Sequence, residues 1–292
     1  MKYLFPLNKL NFNIYKISIK NKIMVLVGLL IISCQTQNVV NKDKKYSKNQ
    51  FQKNIRDYDI QAVLWQQLAA EHRALSYQAF NLAKLRLDTY LTKKKSTNKP
   101  LAIITDIDET IFDNSPFNAK MIKSNTNYTK KNWAAWVKLE KATPIPGSLK
   151  FLLYAASKGV EIYYISNRSS NHTKETVSNL KQIGFPITDK KHILLKDSIS
   201  GKETRRQIVY KTKNVIMLLG DNLSDFSDLF DNKSTIIRNK LVDSLHLKFG
   251  NKFIVLPNPM YGDWETKGIY EGRYNLNSYQ KDSIRKAKLI AY

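Results

Sequence analysis

The chain of 292 residues contains one cysteine, and only 24 aspartates and glutamates against 48 lysines and arginines. A lone cysteine excludes an internal disulfide framework, so the folded part must be held by an ordinary apolar core. No apolar stretch has the length of a membrane span: the run "IMVLVGLLII", Ile23 to Ile32, falls well short of the roughly 20 residues a spanning helix needs. Zinc knuckles, RNA-recognition signatures, a clean helix-turn-helix pattern and internal repeats are all missing. The formal charge of +24 is mostly lysine, spread from end to end without a dense block. Such charge attracts small anionic substrates or anionic lipid, and lysines on a solvated face account for much of it. No specific nucleic-acid partner is expected.

What is present begins with an address. Lys2, Lys9, Lys16, Lys20 and Lys22 precede the apolar run, and Ser33 and Cys34 follow it. That order resembles the lipobox of bacterial lipoproteins, with Ile31 where that family usually has Leu. The resemblance implies a signal peptide over 1–33, a lipidated Cys34 carrying palmitate as the mature N-terminus, and a cell-envelope protein anchored in the outer membrane, at its surface or periplasmic face. Polar residues 34–54 read as a flexible tether, and 55–292 as the folded domain.

From Asp57 to Thr92, Val63, Leu64, Leu68, Leu75, Ala79, Leu82 and Leu85 recur at helical intervals, which predicts one or two helices with these residues as the buried stripe. Beyond it, short apolar runs alternate with helical segments. "LAIIT", "VEIYYIS", "HILL", "NVIMLLG" and "KFIVLP" are the expected strands, with helices at "GSLKFLLYAASKG", "KETVSNLKQIG", "GKETRRQIVYKT" and "LSDFSDLF". This alternation predicts an α/β fold: a doubly wound, mostly parallel sheet over about 98–260. A small helical flank is expected from 55–95, 115–145 and 261–292, with no large cap.

In such sheets the chemistry collects at the carboxyl ends of the strands. There the acid-poor chain concentrates its acid. "DIDETIFDNS" follows the first strand with Asp106, Asp108, Glu109 and Asp113. The second strand delivers Ser166, Asn167 and Arg168, the third Lys196, and the fourth Asp221, Asn222 and Asp225. Crowded carboxylates repel, and a divalent cation relieves them. Asp106, Asp108 and Asp221 are hard oxygen donors of the kind magnesium prefers, and an ammonium and the Ser166 hydroxyl opposite would suit a phosphoryl group. One carboxylate can then act as nucleophile and another, two residues on, as acid.

"DIDET", "SNR", Lys196 and "GDNLSDF" resemble the four motifs of the haloacid dehalogenase (HAD) superfamily. "DIDETIFDNSPF", "LLGDNLSDF" and "LPNPMYGDWE", with the lipobox, resemble the class C acid phosphatases, lipoproteins that hydrolyse phosphomonoesters including nucleoside 5′-phosphates. The resemblance implies one magnesium ion, with Asp106 as nucleophile and carrier of an aspartyl-phosphate. Asp108 is the implied acid and then base, its carbonyl also on the metal, and Asp221 completes the metal shell. Asp225 and Asn222 would stand outside that shell, while Ser166, Asn167 and Lys196 hold the phosphoryl oxygens. Lys202 is the rival of Lys196. Lys196 is preferred because it comes directly off a strand end, whereas Lys202 looks like the opening of the next helix. Glu109 and Asp113 are expected to shape the loop. Trp133 and Tyr261 match aromatics that stack on the base in that family, implying AMP-like nucleotides or nicotinamide mononucleotide as substrates. A homodimer stays open. A surface lipoprotein binding an anionic ligand or haem on the same fold is the alternative. A DxD-dependent glycosyltransferase explains neither Ser166 nor Lys196.

Overall fold

A computed structural model describes residues 56–93 and 98–292. The expected signal peptide, Cys34 and the tether lie outside the described residues.

Five parallel strands form the sheet: β1 (Leu101–Thr105), β4 (Glu161–Ser169), β5 (Ile193–Lys196), β6 (Asn214–Gly220) and β7 (Phe253–Val255). Two short strands, β2 (Phe112–Asp113) and β3 (Thr143–Pro144), pair antiparallel apart from it. The sheet order is β5-β4-β1-β6-β7. The chain winds from β1 to one side and then returns to the other, so the strand order reverses beside β1. In open α/β sheets the crevice at that reversal is where ligands bind, and the residue following β1 is Asp106.

The sheet is apolar on both faces, as a parallel sheet covered by helices requires. One face buries Ile103, Ile162, Tyr164, Leu195, Met217 and Leu219 under Phe80, Leu87, Phe151, Leu152 and Leu180. The other packs Ala102, Ile104, Tyr163, Ile165 and Leu218 against Val209 and Phe226. The covering helices are α5 (Ser148–Ser157), α6 (Thr173–Ile183) and α7 (Glu203–Thr212). Gly184 stops α6 as the sequence suggests, in the left-handed conformation at φ 93° that a side chain disfavours.

The N-terminal flank consists of α1 (Ile60–Leu68) and α2 (Ala70–Thr92), broken at Ala69, whose ψ of 125° is extended. Its buried stripe is only partly the expected one: Val63 is buried, and Ala79 and Leu82 pack against the core. Leu64, Leu68, Leu75 and Leu85 are exposed, and the packed face carries His72, Ser76, Phe80, Ala83 and Leu87. The intervals of three and four are helical, but small Ala83 and Ser76 let the helix approach its neighbours. Ser76 satisfies its own hydroxyl on the His72 carbonyl at 2.8 Å. Between β2 and β3 lie α3 (Ser115–Lys123) and α4 (Lys130–Val137). "LSDFSDLF" forms two 3-10 turns, Leu223–Asp225 and Asp228–Phe230, rather than the expected helix. The sequence reading missed α8 (Thr235–Ser244), and the tail ends in α9 (Ser278–Lys288). Among the described residues no helix is long and apolar enough to cross a membrane.

Candidate active site

The loop after β1 alternates between site and core. The Asp106 amide still donates to the Leu219 carbonyl at 3.0 Å, extending the β1–β6 ladder by one residue. Ile107, Ile111 and Phe112 are fully buried, and the Ile111 and Phe112 amides both return to the Ile107 carbonyl, at 3.0 and 2.9 Å. With every second residue anchored in the core, Asp106 and Asp108 are left on the crevice side. Glu109 takes a left-handed φ of 57° and buries its carboxylate, which accepts from the Asn114 amide at 2.8 Å and from the Tyr261 hydroxyl. Asp113 accepts from the Ser115 amide at 2.9 Å. These two acids therefore hold the loop, as expected, and Tyr261 is tied into the same brace.

Carboxylate oxygens of Asp106, Asp221 and Asp225 lie within 4.8 Å of one another. Asp221 is oriented by the Thr110 hydroxyl at 3.0 Å and the Asn258 amide at 2.8 Å. Asp225 accepts the Asn222 backbone N–H at 3.0 Å and packs against Gly220, where a Cβ would stand 2.5 Å from the Asp225 Cβ. Glycine at the end of β6 is thus a requirement of the site. Burial pushes the Asp106 carboxyl well above the usual range; Lys202 opposes this, while Asp225, Asp221 and Asp108 add to it. Burial and then Asp225 lift Asp221 to about 7. Three hard oxygen donors this close together, two of them buried, fit a divalent cation. Asp225, expected outside the metal shell, stands within this trio. The Asp108 side chain is not part of it.

Asp108 is held by Arg168 instead. The guanidinium donates Nε at 2.9 Å and Nη2 at 2.7 Å to Oδ1, while Asn114 adds a bond at 2.9 Å and the Ser166 hydroxyl one at 3.4 Å. Arg168 also lies over the Trp133 ring, 5.6 Å from its centroid. The sequence had placed Arg168 at the strand end without a role.

The main correction concerns the lysine. Among the described residues the cation on Asp106 is Lys202, not Lys196: its ammonium touches Asp106 and also lies 2.6 Å from Asp225. Burial alone would lower that ammonium, but Asp106 and Asp225 outweigh it and hold it above the usual lysine range. Lys196 lines the cavity at the end of β5 and makes neither contact. β5 is the edge strand, two places from β1, and the loop to α7 brings the later lysine back over the central strand. Arg205 and Arg206 were also missed. Arg205 donates to the Ser166 carbonyl at 2.5 Å, the Asn167 side chain at 2.7 Å and the Gly201 carbonyl at 3.3 Å. Arg206 donates to the Ser224 and Asp225 carbonyls at 2.8 and 3.0 Å and is paired with Glu203 at 2.7 Å. The start of α7 therefore braces three of the strand ends at once. A lysine and two arginines in "GKETRR" at a helix opening were the available signal.

Asp106, Asp108, Ser166, Arg168, Lys202 and Asp221 line one cavity of about 530 Å³, with Trp133 and Tyr261 on its wall. Trp133 meets Phe117 edge-on at 5.1 Å. Trp136 donates to Asn114 at 2.8 Å and so supports the loop.

A family model described as HAD superfamily, subfamily IIIB (acid phosphatase), matches residues 22–264. The crystal structure of a class C acid phosphatase from Bacillus anthracis with tungstate bound is 44% identical, with a TM-score of 0.78, and the match covers 82% of this chain and 99% of that one. Vegetative storage protein 1 of Arabidopsis thaliana is 28% identical over 42% of this chain, and acid phosphatase 1 of Solanum lycopersicum 24% identical over 54%. The chain spans about half the length of these curated relatives, 47% and 57% respectively. With strand ends, buried acids and fold in agreement, the chain belongs to the subfamily IIIB acid phosphatases of the HAD superfamily.

Proposed function

We propose that the protein is a magnesium-dependent phosphomonoesterase acting on nucleoside 5′-monophosphates or nicotinamide mononucleotide through an aspartyl-phosphate on Asp106. The observation that carries this reading is the Lys202 ammonium on Asp106 beside the Asp221 and Asp225 carboxylates. That arrangement aims a buried carboxylate into a cavity beside an ammonium that favours its charged form against the burial that opposes it, which a nucleophile needs and a purely binding site does not. The Bacillus anthracis relative was solved with tungstate, a tetrahedral oxyanion of the shape of phosphate, which supports a phosphate-binding reading.

Asp106, Asp221, Asp225 and the Asp108 carbonyl are the groups that would hold magnesium. When bound, the ion supplies positive charge to the carboxylates and the phosphoryl oxygens. Asp106 attacks phosphorus and the ester oxygen leaves, taking the proton that Asp108 holds for it. Asp108 then accepts a proton from the water that opens the acyl phosphate, returning free Asp106 and inorganic phosphate. Arg168 fixes the Asp108 carboxyl for both transfers. Ser166 and Asn167 hold phosphoryl oxygens, and Arg205 fixes their strand end. Trp133 and Tyr261 offer π-faces to the base, a mode tolerant of base identity.

The test is phosphate release from AMP, nicotinamide mononucleotide and p-nitrophenyl phosphate, measured after EDTA and again with magnesium restored. Release from all three, lost with EDTA and recovered with magnesium, is expected. Undiminished release in EDTA defeats the metal requirement, and release from p-nitrophenyl phosphate alone defeats the nucleotide assignment. We further propose that Cys34 anchors the protein in the outer membrane. Palmitate labelling of the wild type that is lost in Cys34→Ala is the expected result, and an unlabelled wild type removes the anchor.

A further inference from the structure

The cavity does not end at Trp133 and Tyr261. Its lining continues to Arg56 and Asp59 in the N-terminal flank and to Glu265, Lys281 and Arg285 in the C-terminal segment. This far end is built. The Arg285 guanidinium lies over the Tyr58 and Tyr270 rings, 4.7 and 5.6 Å from their centroids. Its Nη2 is tied to Glu265 at 3.0 Å and faces Asp59 at 3.9 Å. Those contacts fix the plane of the fork while Nε and Nη1 make no hydrogen bond among the described residues. Arg56 pairs with Asp59 at 2.5 Å. Lys281 lies 5.6 Å from the Tyr270 centroid and has no carboxylate partner among the described residues. Asp263 also lines this end, but it accepts from the Ser224 hydroxyl at 2.7 Å and faces Arg238 at 3.8 Å, so among the described residues the cation left here without a carboxylate partner is Lys281.

We propose that this far end is a subsite for a second, phosphate-like anionic group on the substrate, remote from the scissile phosphate. Lys281 supplies the charge and the Arg285 fork the orientation. A stacked guanidinium with free donors is pre-organised for a planar face of a phosphate, and a flexible ammonium adapts to its position. Substrates carrying two phosphates are therefore taken in preference to those carrying one. The inference rests on the phosphatase reading for the first phosphate, though binding at the second does not require turnover.

Alkane phosphonates test it, because their carbon–phosphorus bonds are not opened by ester hydrolysis. Binding of α,ω-alkane bisphosphonates of increasing chain length is compared with that of the matching monophosphonates by calorimetry, on the magnesium-loaded full-length protein. The best chain length is expected to bind roughly tenfold tighter than its monophosphonate, as one charge-assisted contact allows. In Lys281→Ala that ratio falls to near one, and in Lys281→Glu below one. A wild-type ratio of one at every length, or a ratio that survives both substitutions, overturns the proposal. Hydrolysis of p-nitrophenyl phosphate is assayed separately: if it is absent while the ratio holds, the phosphatase reading fails and the subsite stands.

Discussion

The Lys202 ammonium sits on the Asp106 carboxylate across 96 positions of sequence, with Asp225 as its second partner. Both ends are buried, and a buried charge left without its partner is costly. Lys202→Met should therefore lower phosphate release by about 10²–10³-fold, the scale for removing a pre-organised charge from a transition state. Lys196→Ala should lower it less than tenfold, since Lys196 lines the cavity without touching either acid. Equal losses from the two would restore Lys196 to the position the sequence assigns it.

A Cβ on Gly220 would stand 2.5 Å from the Asp225 side chain. Gly220→Ala forces a Cβ into the Asp225 side chain and should cost about 1–3 kcal/mol, the usual penalty of overpacking. Urea denaturation measures the stability. Magnesium affinity, followed by calorimetry, should weaken in the same variant because Asp225 is displaced. Unchanged magnesium binding would separate Asp225 from the metal.

The buried acids give the metal-free protein a definite pH dependence. Burial raises Asp106 and Glu109 above the carboxylate range and Asp221 to about 7. A carboxyl raised on folding binds its proton more tightly folded than unfolded. It therefore favours the fold below its unfolded pKa, and costs stability as pH climbs from that value to the folded one. In EDTA the melting temperature should fall between about pH 4 and about pH 7, less steeply in Asp221→Asn. Magnesium should raise it more at pH 7 than at pH 4.5. A wild-type profile no steeper than that of Asp221→Asn contradicts the assignment.

Tyr261 has two separable parts. Its hydroxyl braces buried Glu109, so Tyr261→Phe should destabilise the protein by about 1–3 kcal/mol, the cost of taking a donor from a buried acceptor. The ring remains, so the Michaelis constant for AMP should change little. Trp133→Ala should raise that constant by about tenfold, as the loss of a base-stacking face does, without raising it for p-nitrophenyl phosphate. A matching rise for both substrates would return Trp133 to packing against Phe117.

The sheet was legible because each strand is a short apolar run closed by polar residues, and the acids at the ends of β1 and β6 announced themselves in a chain short of acid. What the sequence hid is what depends on where loops return. Lys202 reads as a helix opening, and only the passage from edge strand β5 back over β1 makes it the partner of Asp106. Arg205 and Arg206 carry no role in the sequence beyond a place in a helix, yet both are buried on the carbonyls and side chains of other strand ends. The flank was only partly legible for a related reason. Its leucines mark a helix, but small residues, Ser76 and Ala83, select the face that packs.

The most direct measurement of the central claim is magnesium-supported phosphate release from AMP by the wild type and by Asp106→Asn. Turnover in the wild type and a loss of at least about 10³-fold in the variant are expected, since removing the nucleophile removes the covalent route. Comparable release by both proteins would contradict it.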